Sequence, residues 1–258
     1  MTKCAVMALS GGMDSTGLLM HLLADGHEVH ALSYDYGQKH SLELDRAKAN
    51  INYLKSKGIT VSHKIVDLRS AMSVFHSALT DDSIDIPEGH YEEEQMKQTV
   101  VPNRNAIFSS VLYGYALSIA LKQDTEVKIA LGVHSGDHTI YPDCRPEFYG
   151  ALENAFQIGN WSSDKVSFYL PYIGGTKETI LKDAEKCLDK LGLDFNTVFA
   201  NTNTSYDPDD MGRSSGKSGA DVERILAFHA VGRADPVPYV KPWPEVLQDA
   251  INTEAKRK

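Results

Sequence analysis

Near its start the chain gathers three hydroxyls, two glycines and a carboxylate into seven consecutive residues, Ser10-Gly11-Gly12-Met13-Asp14-Ser15-Thr16. These residue types suit an anion. Gly11 and Gly12 let the backbone approach a phosphate with no Cβ in the way. Ser10, Ser15 and Thr16 add hydroxyl donors. Asp14 repels phosphate unless a cation intervenes, so its expected work is capping a helix or helping to hold Mg²⁺. Further polar clusters follow at Asp35-Tyr36-Gly37-Gln38, Arg104-Asn105, His134 to His138 and Asp143 to Arg145. Arg104 is the best candidate for gripping a phosphate or carboxylate, because a guanidinium reaches two oxygens at once. Each cluster has a bland alternative: Asp35 as a turn cap, Asp143 and Arg145 as a structural pair, His134, Asp137 and His138 as surface loop polarity rather than metal ligands.

The elements around the first cluster give the glycine turn its meaning. The apolar run Cys4 to Leu9 reads as a buried strand, and Leu18, Leu19, Leu22 and Leu23 recur at helical spacing within Gly17 to Leu23. A strand, a small-residue turn and a helix form an anion site, since the helix start offers unpaired N–H groups and the positive end of its dipole. Further on, strands are predicted over 28–34, 60–68 and 127–131, and a short edge strand over 168–171. Helices are predicted over 42–57, 106–121, 146–157 and 177–191, the last stopped at Gly192. Alternating strands and helices predict a parallel sheet of the Rossmann-like α/β class, with helices on both faces and ligands at the strands' carboxyl ends. Residues 1–200 read as one nucleotide-handling domain and 201–258 as a smaller, mostly helical region. The stretch 80–98 is acidic and poor in apolar residues, and reads as an exposed loop.

Composition narrows the function. With 258 residues, 42% of them hydrophobic, the chain can bury a full core. A net charge of −9 opposes a broad nucleic-acid footprint but not a local site for a small anion. No apolar run has membrane-spanning length and no signal-peptide layout opens the chain; three scattered cysteines make no disulfide framework. A cytoplasmic protein is expected.

The turn is neither a dinucleotide fingerprint nor a Walker A loop. It resembles the S-G-G-x-D-S pyrophosphate loop of ATP pyrophosphatases. Together with Tyr34-Asp35-Tyr36-Gly37-Gln38, Pro102-Asn103-Arg104-Asn105 and Tyr141-Pro142-Asp143-Cys144-Arg145, in this order, the chain resembles the 7-cyano-7-deazaguanine synthases, the QueC family, as far as about Tyr239. The resemblance implies adenylylation of 7-carboxy-7-deazaguanine by ATP with Mg²⁺, capture by ammonia to an amide, and a second adenylylation on the way to the nitrile. It implies a homodimer and no membrane. It assigns Ser10, Gly11, Gly12, Asp14, Ser15, Thr16, Asp35, Tyr36 and Gln38 to the nucleotide, with Ser10, Asp14, Ser15 and Arg104 in the chemistry. Arg104, Asn105, His134, Asp137, Asp143 and Arg145 are assigned to the substrate.

One block departs from the family, which carries a four-cysteine zinc site near its C-terminus. The corresponding positions are Ser205, Ser215, Ser218 and Asp221. Zinc sites of this kind depend on deprotonated sulfur, so no structural zinc is expected. Residues 212–220 read as a mobile Gly/Ser loop in which Ser218→Ala should matter little; Gly216-Lys217-Ser218 is a Walker A decoy. The change is compatible with drift, or with another amine acceptor, a protein amine among them. A non-catalytic nucleotide-binding module is a further alternative.

Overall fold

The structure, a computed structural model, describes residues 3–38, 42–80, 94–139, 141–205, 208–209 and 211–256. Most of the acidic stretch, residues 81–93, lies outside them. The sheet is built from β1 (Lys3–Ala8), β2 (His27–Asp35), β3 (Ser62–Asp67), β4 (Val127–Ala130) and β5 (Val166–Tyr169). Its order is β3-β2-β1-β4-β5, and the strands pair in parallel throughout. β1 thus has β2 on one side and β4 on the other, and the connections run opposite ways from it. That reversal opens a crevice at the carboxyl ends of β1 and β4, where open α/β sheets take ligands.

The helices are α1 (Met13–Ala24), α2 (Leu42–Ser56), the single turn α3 (Arg69–Met72), α4 (Arg104–Gln123) and α5 (Pro146–Gly159). They continue with α6 (Lys177–Leu191), α7 (Phe195–Ala200), α8 (Gly219–Ala230) and α9 (Trp243–Ala255). β1 alternates between two cores, as side chains on a pleat must. Ala5 and Met7 join Leu18, Leu19, Ile180 and Phe228 on one face. Cys4 and Val6 join Leu112, Ala116, Ile129 and Tyr149 on the other. Ala227 and Phe228 of α8 belong to the first of these cores, so the C-terminal region packs on the sheet domain.

Two local features differ from the sequence expectation. α1 begins at Met13, not Gly17, so Asp14, Ser15 and Thr16 form its first turn. Gly17 lies inside the helix because α6 passes close by: a Cβ there would come within 2.5 Å of the Ile180 side chain. The 212–220 stretch is tied to the 238–240 segment by backbone hydrogen bonds. Ser214 N–H donates to the Pro238 carbonyl at 2.9 Å and Val240 N–H to the Ser214 carbonyl at 3.0 Å.

Ser218 is buried and caps α8: its Oγ accepts from Asp221 N–H at 3.2 Å, while the Ser218 N–H donates to Asp221 Oδ2 at 3.3 Å. Ser218→Ala is therefore expected to cost about 1–2 kcal/mol, the usual worth of such a cap, in place of the small effect read from sequence. Urea unfolding of the variant checks this, and a midpoint equal to the parent's would make the cap unimportant.

Candidate active site

A cleft of about 260 Å³ opens at the β1–β4 crevice. Its wall includes Ser10, Gly12, Asp14 and Ser15 from the glycine turn, Tyr36 and Gln38 from the end of β2, and Arg104 and Asn105 from the start of α4. Tyr141 and Cys144 line it as well, so segments of four sequence clusters meet in one place.

The turn is pre-set by its own side chains. Ser10 and Ser15 hydroxyls lie 3.0 Å apart, Gly12 N–H donates to Ser10 Oγ at 3.2 Å, and Ser10 N–H donates to Ser15 Oγ at 3.2 Å. Gly11 has φ +90°, and a Cβ there would stand 2.0 Å from the Glu43 carbonyl oxygen, so only glycine fits. Past the turn, the first amides of α1 have no helical carbonyl to bond and point their dipole at the cleft. Gly132, at the end of β4, brings its backbone against this helix start: a Cβ would lie 3.1 Å from Asp14 and Ser15 backbone atoms.

Behind the turn sits a charge cluster that sequence reasoning missed. Lys177, the first residue of α6, is 5% exposed. Its Nζ donates to Asp14 Oδ2 at 2.8 Å, lies 2.8 Å from His134 Nε2 and 3.3 Å from Glu223 Oε2. Burial pushes the Asp14 carboxyl up, but Lys177, with His134 and Arg224 beyond it, overcomes this and holds it below the ordinary range. One signal could have found the lysine: a cation at a helix's positive end is unfavourable unless carboxylates receive it. Asp14 Oδ1 is buried with no hydrogen-bond partner among the described residues. An unpartnered carboxylate oxygen beside a phosphate cradle fits Mg²⁺, a hard cation held by few protein oxygens plus phosphate.

The remaining sequence candidates are placed as follows. Thr16 is buried and does not line the cleft. Gln38 lines it, but holds the β2 turn, accepting from Tyr36 N–H at 2.9 Å and donating to the Tyr34 carbonyl at 3.2 Å. Asp35 stands outside the lining and accepts from Gly37 N–H at 3.4 Å. Asn105 reaches the 143–144 turn, its amide 3.4 Å from the Asp143 carbonyl. Asp143 and Arg145 do not pair and do not line the cleft: Asp143 accepts from Asn105 N–H at 3.4 Å, and exposed Arg145 donates to the His138 carbonyl at 2.8 Å. His134 is a buried partner of Lys177 and not a surface residue. The Asp137 side chain lies outside the described residues.

Among the lining residues, Phe108, Asn203 and Thr204 carried no signal in sequence. Tyr34 and Phe108 stack face to face, centroids 4.0 Å apart, and Arg104 lies over the Tyr36 ring at 6.0 Å. The C-terminal region supplies another wall, Asn203 to Ser205, and Asn203 N–H donates to the Gly11 carbonyl at 2.9 Å. Directly behind it, Asp221 accepts hydroxyls from Ser214 at 2.5 Å, Ser205 at 3.1 Å and Ser215 at 3.3 Å. This donor set contains no thiolate and satisfies itself, so these residues do not fit a structural zinc. Among the described residues, His21, Asp183 and Cys187 also have ligand atoms within 4.8 Å of one another. His21 is already bonded to Asp183 and Tyr169, at 2.8 and 2.7 Å, and burial first, then Asp183, pushes the Cys187 thiol up to about 11. No helix among the described residues is long and apolar enough to cross a membrane.

Comparison with known proteins shows the family. The family model of the queuosine biosynthesis protein QueC matches residues 4–232. The chain is 42% identical over 239 residues to a 7-cyano-7-deazaguanine synthase of Pseudoalteromonas translucida, covering 93% of this chain and 100% of that one. It is 44% identical over 240 residues to that of Alteromonas mediterranea, covering 93% and 100%. For the synthase of Methanoregula boonei the figures are 41% over 235 residues, 91% and 98%.

Proposed function

The chain belongs to the QueC family, and on that premise we propose that it uses ATP to adenylylate 7-carboxy-7-deazaguanine and carries the product with ammonia to 7-cyano-7-deazaguanine. The observation that carries this reading is the Ser10–Thr16 turn: a rigid, hydroxyl-tied cradle at a helix start, facing a cleft with Arg104 and Lys177 beside it. A carboxylate is a poor electrophile until one oxygen becomes a good leaving group, and AMP is one. As pyrophosphate leaves ATP, negative charge grows on its oxygens. Donors fixed in advance stabilise that charge without reorganising. The α1 amides, Ser10 and Ser15 supply such donors, and Lys177 holds Asp14 in place behind them. Mg²⁺ held by Asp14 Oδ1 and phosphate oxygens would neutralise further charge there. The stacked Tyr34 and Phe108 give a planar deazapurine or adenine an apolar wall. Arg104 is the group for the substrate carboxylate or the α-phosphate.

The test is pyrophosphate release with ATP and 7-carboxy-7-deazaguanine. Asp14→Ala or Ser15→Ala is expected to lower it by about 10²-fold or more, the usual cost of removing one such group. An unchanged rate in both variants removes the turn from the mechanism.

A second reading has its own observation. The wall at Asn203 to Ser205 is held by a serine–carboxylate knot where the family resemblance implies cysteines. An altered wall supports an altered acceptor, so that the activated acid is captured by another amine, a protein amine included, and stops at the amide. Mass spectrometry of products with ammonia alone, and then with candidate acceptors, separates the two. A homodimer is carried over from the family resemblance to either reading.

A further inference from the structure

Among the described residues two carboxylates line the cleft, Asp14 and Glu43, and their surroundings differ. Asp14 is locked by Lys177 and held ionised. Glu43 lies across the glycine turn, in the first turn of α2, and its backbone carbonyl packs directly on Gly11. It therefore sits beside the phosphate cradle, where an acyl group attached to AMP must be held. Among the described residues, the ionisable groups facing it are Arg104 from α4 and Tyr36 from the end of β2. Nothing in the reaction as derived so far uses it.

We propose that Glu43 is the general base that receives the proton lost by the amine nitrogen as it attacks the adenylylated carboxyl group. The step balances. The nitrogen lone pair forms the C–N bond, the C–O bond to AMP breaks with its electron pair leaving on the phosphate oxygen, and the N–H proton passes to the Glu43 carboxylate. Among the described residues, neither cation lining the cleft can do this work, because Arg104 stays protonated and Lys177 is engaged with Asp14. When two carboxylates in one site are pushed apart by their surroundings, the one less compensated by cations takes the proton. Burial lifts the Glu43 carboxyl to about 7, with Arg104 opposing. A base titrating near the working pH is the efficient one.

The assignment rests on the adenylylation reading, so its test separates the two half-reactions. Pyrophosphate exchange with 7-carboxy-7-deazaguanine reports activation, and labelled ammonia reports amide formation. In Glu43→Gln the ratio of amide formed to pyrophosphate exchanged should fall about 10²-fold, at the low end of general-base contributions. With free ammonia held constant across the pH series, the parent's amide formation should rise through about pH 7 as Glu43 ionises. The variant should lose that limb. Hydroxylamine is unprotonated and strongly nucleophilic at neutral pH, and should restore capture by the variant to within a few-fold of the parent. A ratio that stays at the parent value overturns the proposal. So does a loss of exchange equal to the loss of amide, because Glu43 then serves binding or folding. A parent enzyme with no pyrophosphate exchange on any carboxylate overturns the activation reading, and this assignment with it.

Discussion

Lys177→Met is expected to lower pyrophosphate release by at least about 10³-fold, more than any single donor of the glycine turn, because several functions meet in one ammonium group. Lys177 Nζ is bonded to Asp14 at 2.8 Å, to His134 at 2.8 Å and lies 3.3 Å from Glu223. Removing it leaves the Asp14 and Glu223 carboxylates, both half-buried, without the cation they share. Such a pair either binds a proton or moves apart, and in both cases Asp14 ceases to be the fixed anion behind the phosphate cradle. Methionine keeps much of the volume and removes the charge. Lys177→Arg should not rescue, since a planar fork cannot direct its donors into a cavity built for a point charge. The rate is read by pyrophosphate release, with circular dichroism and ATP binding measured in parallel. A folded Lys177→Met protein that releases pyrophosphate at the parent rate would take this lysine out of the mechanism.

The largest effect on stability is expected at Asp235. Arg224, 1% exposed, sends Nε and Nη2 to the two Asp235 oxygens at 2.6 and 2.9 Å, and its Nη1 to Thr202 and Thr204 at 2.8 and 2.9 Å. Tyr239 adds its hydroxyl to Asp235 at 2.7 Å. This clamp joins α8, the 202–204 segment that leads into the cleft wall, and the 235–239 loop. Asp235→Ala leaves a buried guanidinium without its counter-charge, a loss of about 3–5 kcal/mol. Out of a typical total of roughly 5–15 kcal/mol, that is enough to unfold a marginal protein. Replacing both partners together, Arg224→Met with Asp235→Leu, should recover most of the stability, because no charge is then stranded. Urea titration of the single and double variants checks both statements. A single-variant loss below about 1 kcal/mol would mean that water reaches the guanidinium.

Both predictions depend on contacts that the sequence alone did not disclose, whereas much of the frame was legible in it. The parallel sheet, its strand–helix alternation, the edge position of β5 and the stop of α6 at Gly192 follow from apolar periodicity and glycine turns. Those are local properties, written within a dozen residues. The glycine turn and the helix after it were readable for the same reason: glycines, hydroxyls and a following helix are neighbours along the chain. The exact start of α1 was not, because the close approach of Ile180 to Gly17, not propensity, explains a glycine inside that helix.

What only the tertiary structure decided is which charges answer one another. Asp14 and Lys177 are 163 positions apart, and no spacing rule links them. Glu43 reads in sequence as one more acid on an amphipathic helix, and becomes a cleft residue because α2 packs on Gly11. Asp143 and Arg145 stand next to a promising motif yet do not line the cleft, since a polar residue's partners depend on the turn that carries it. Ser205, Ser214, Ser215 and Ser218 look like loop polarity until Asp221 gathers them. Backbone preferences are settled between near neighbours in the chain. The compensation of buried charge is settled between whatever residues folding brings within about 3 Å, the reach of a hydrogen bond.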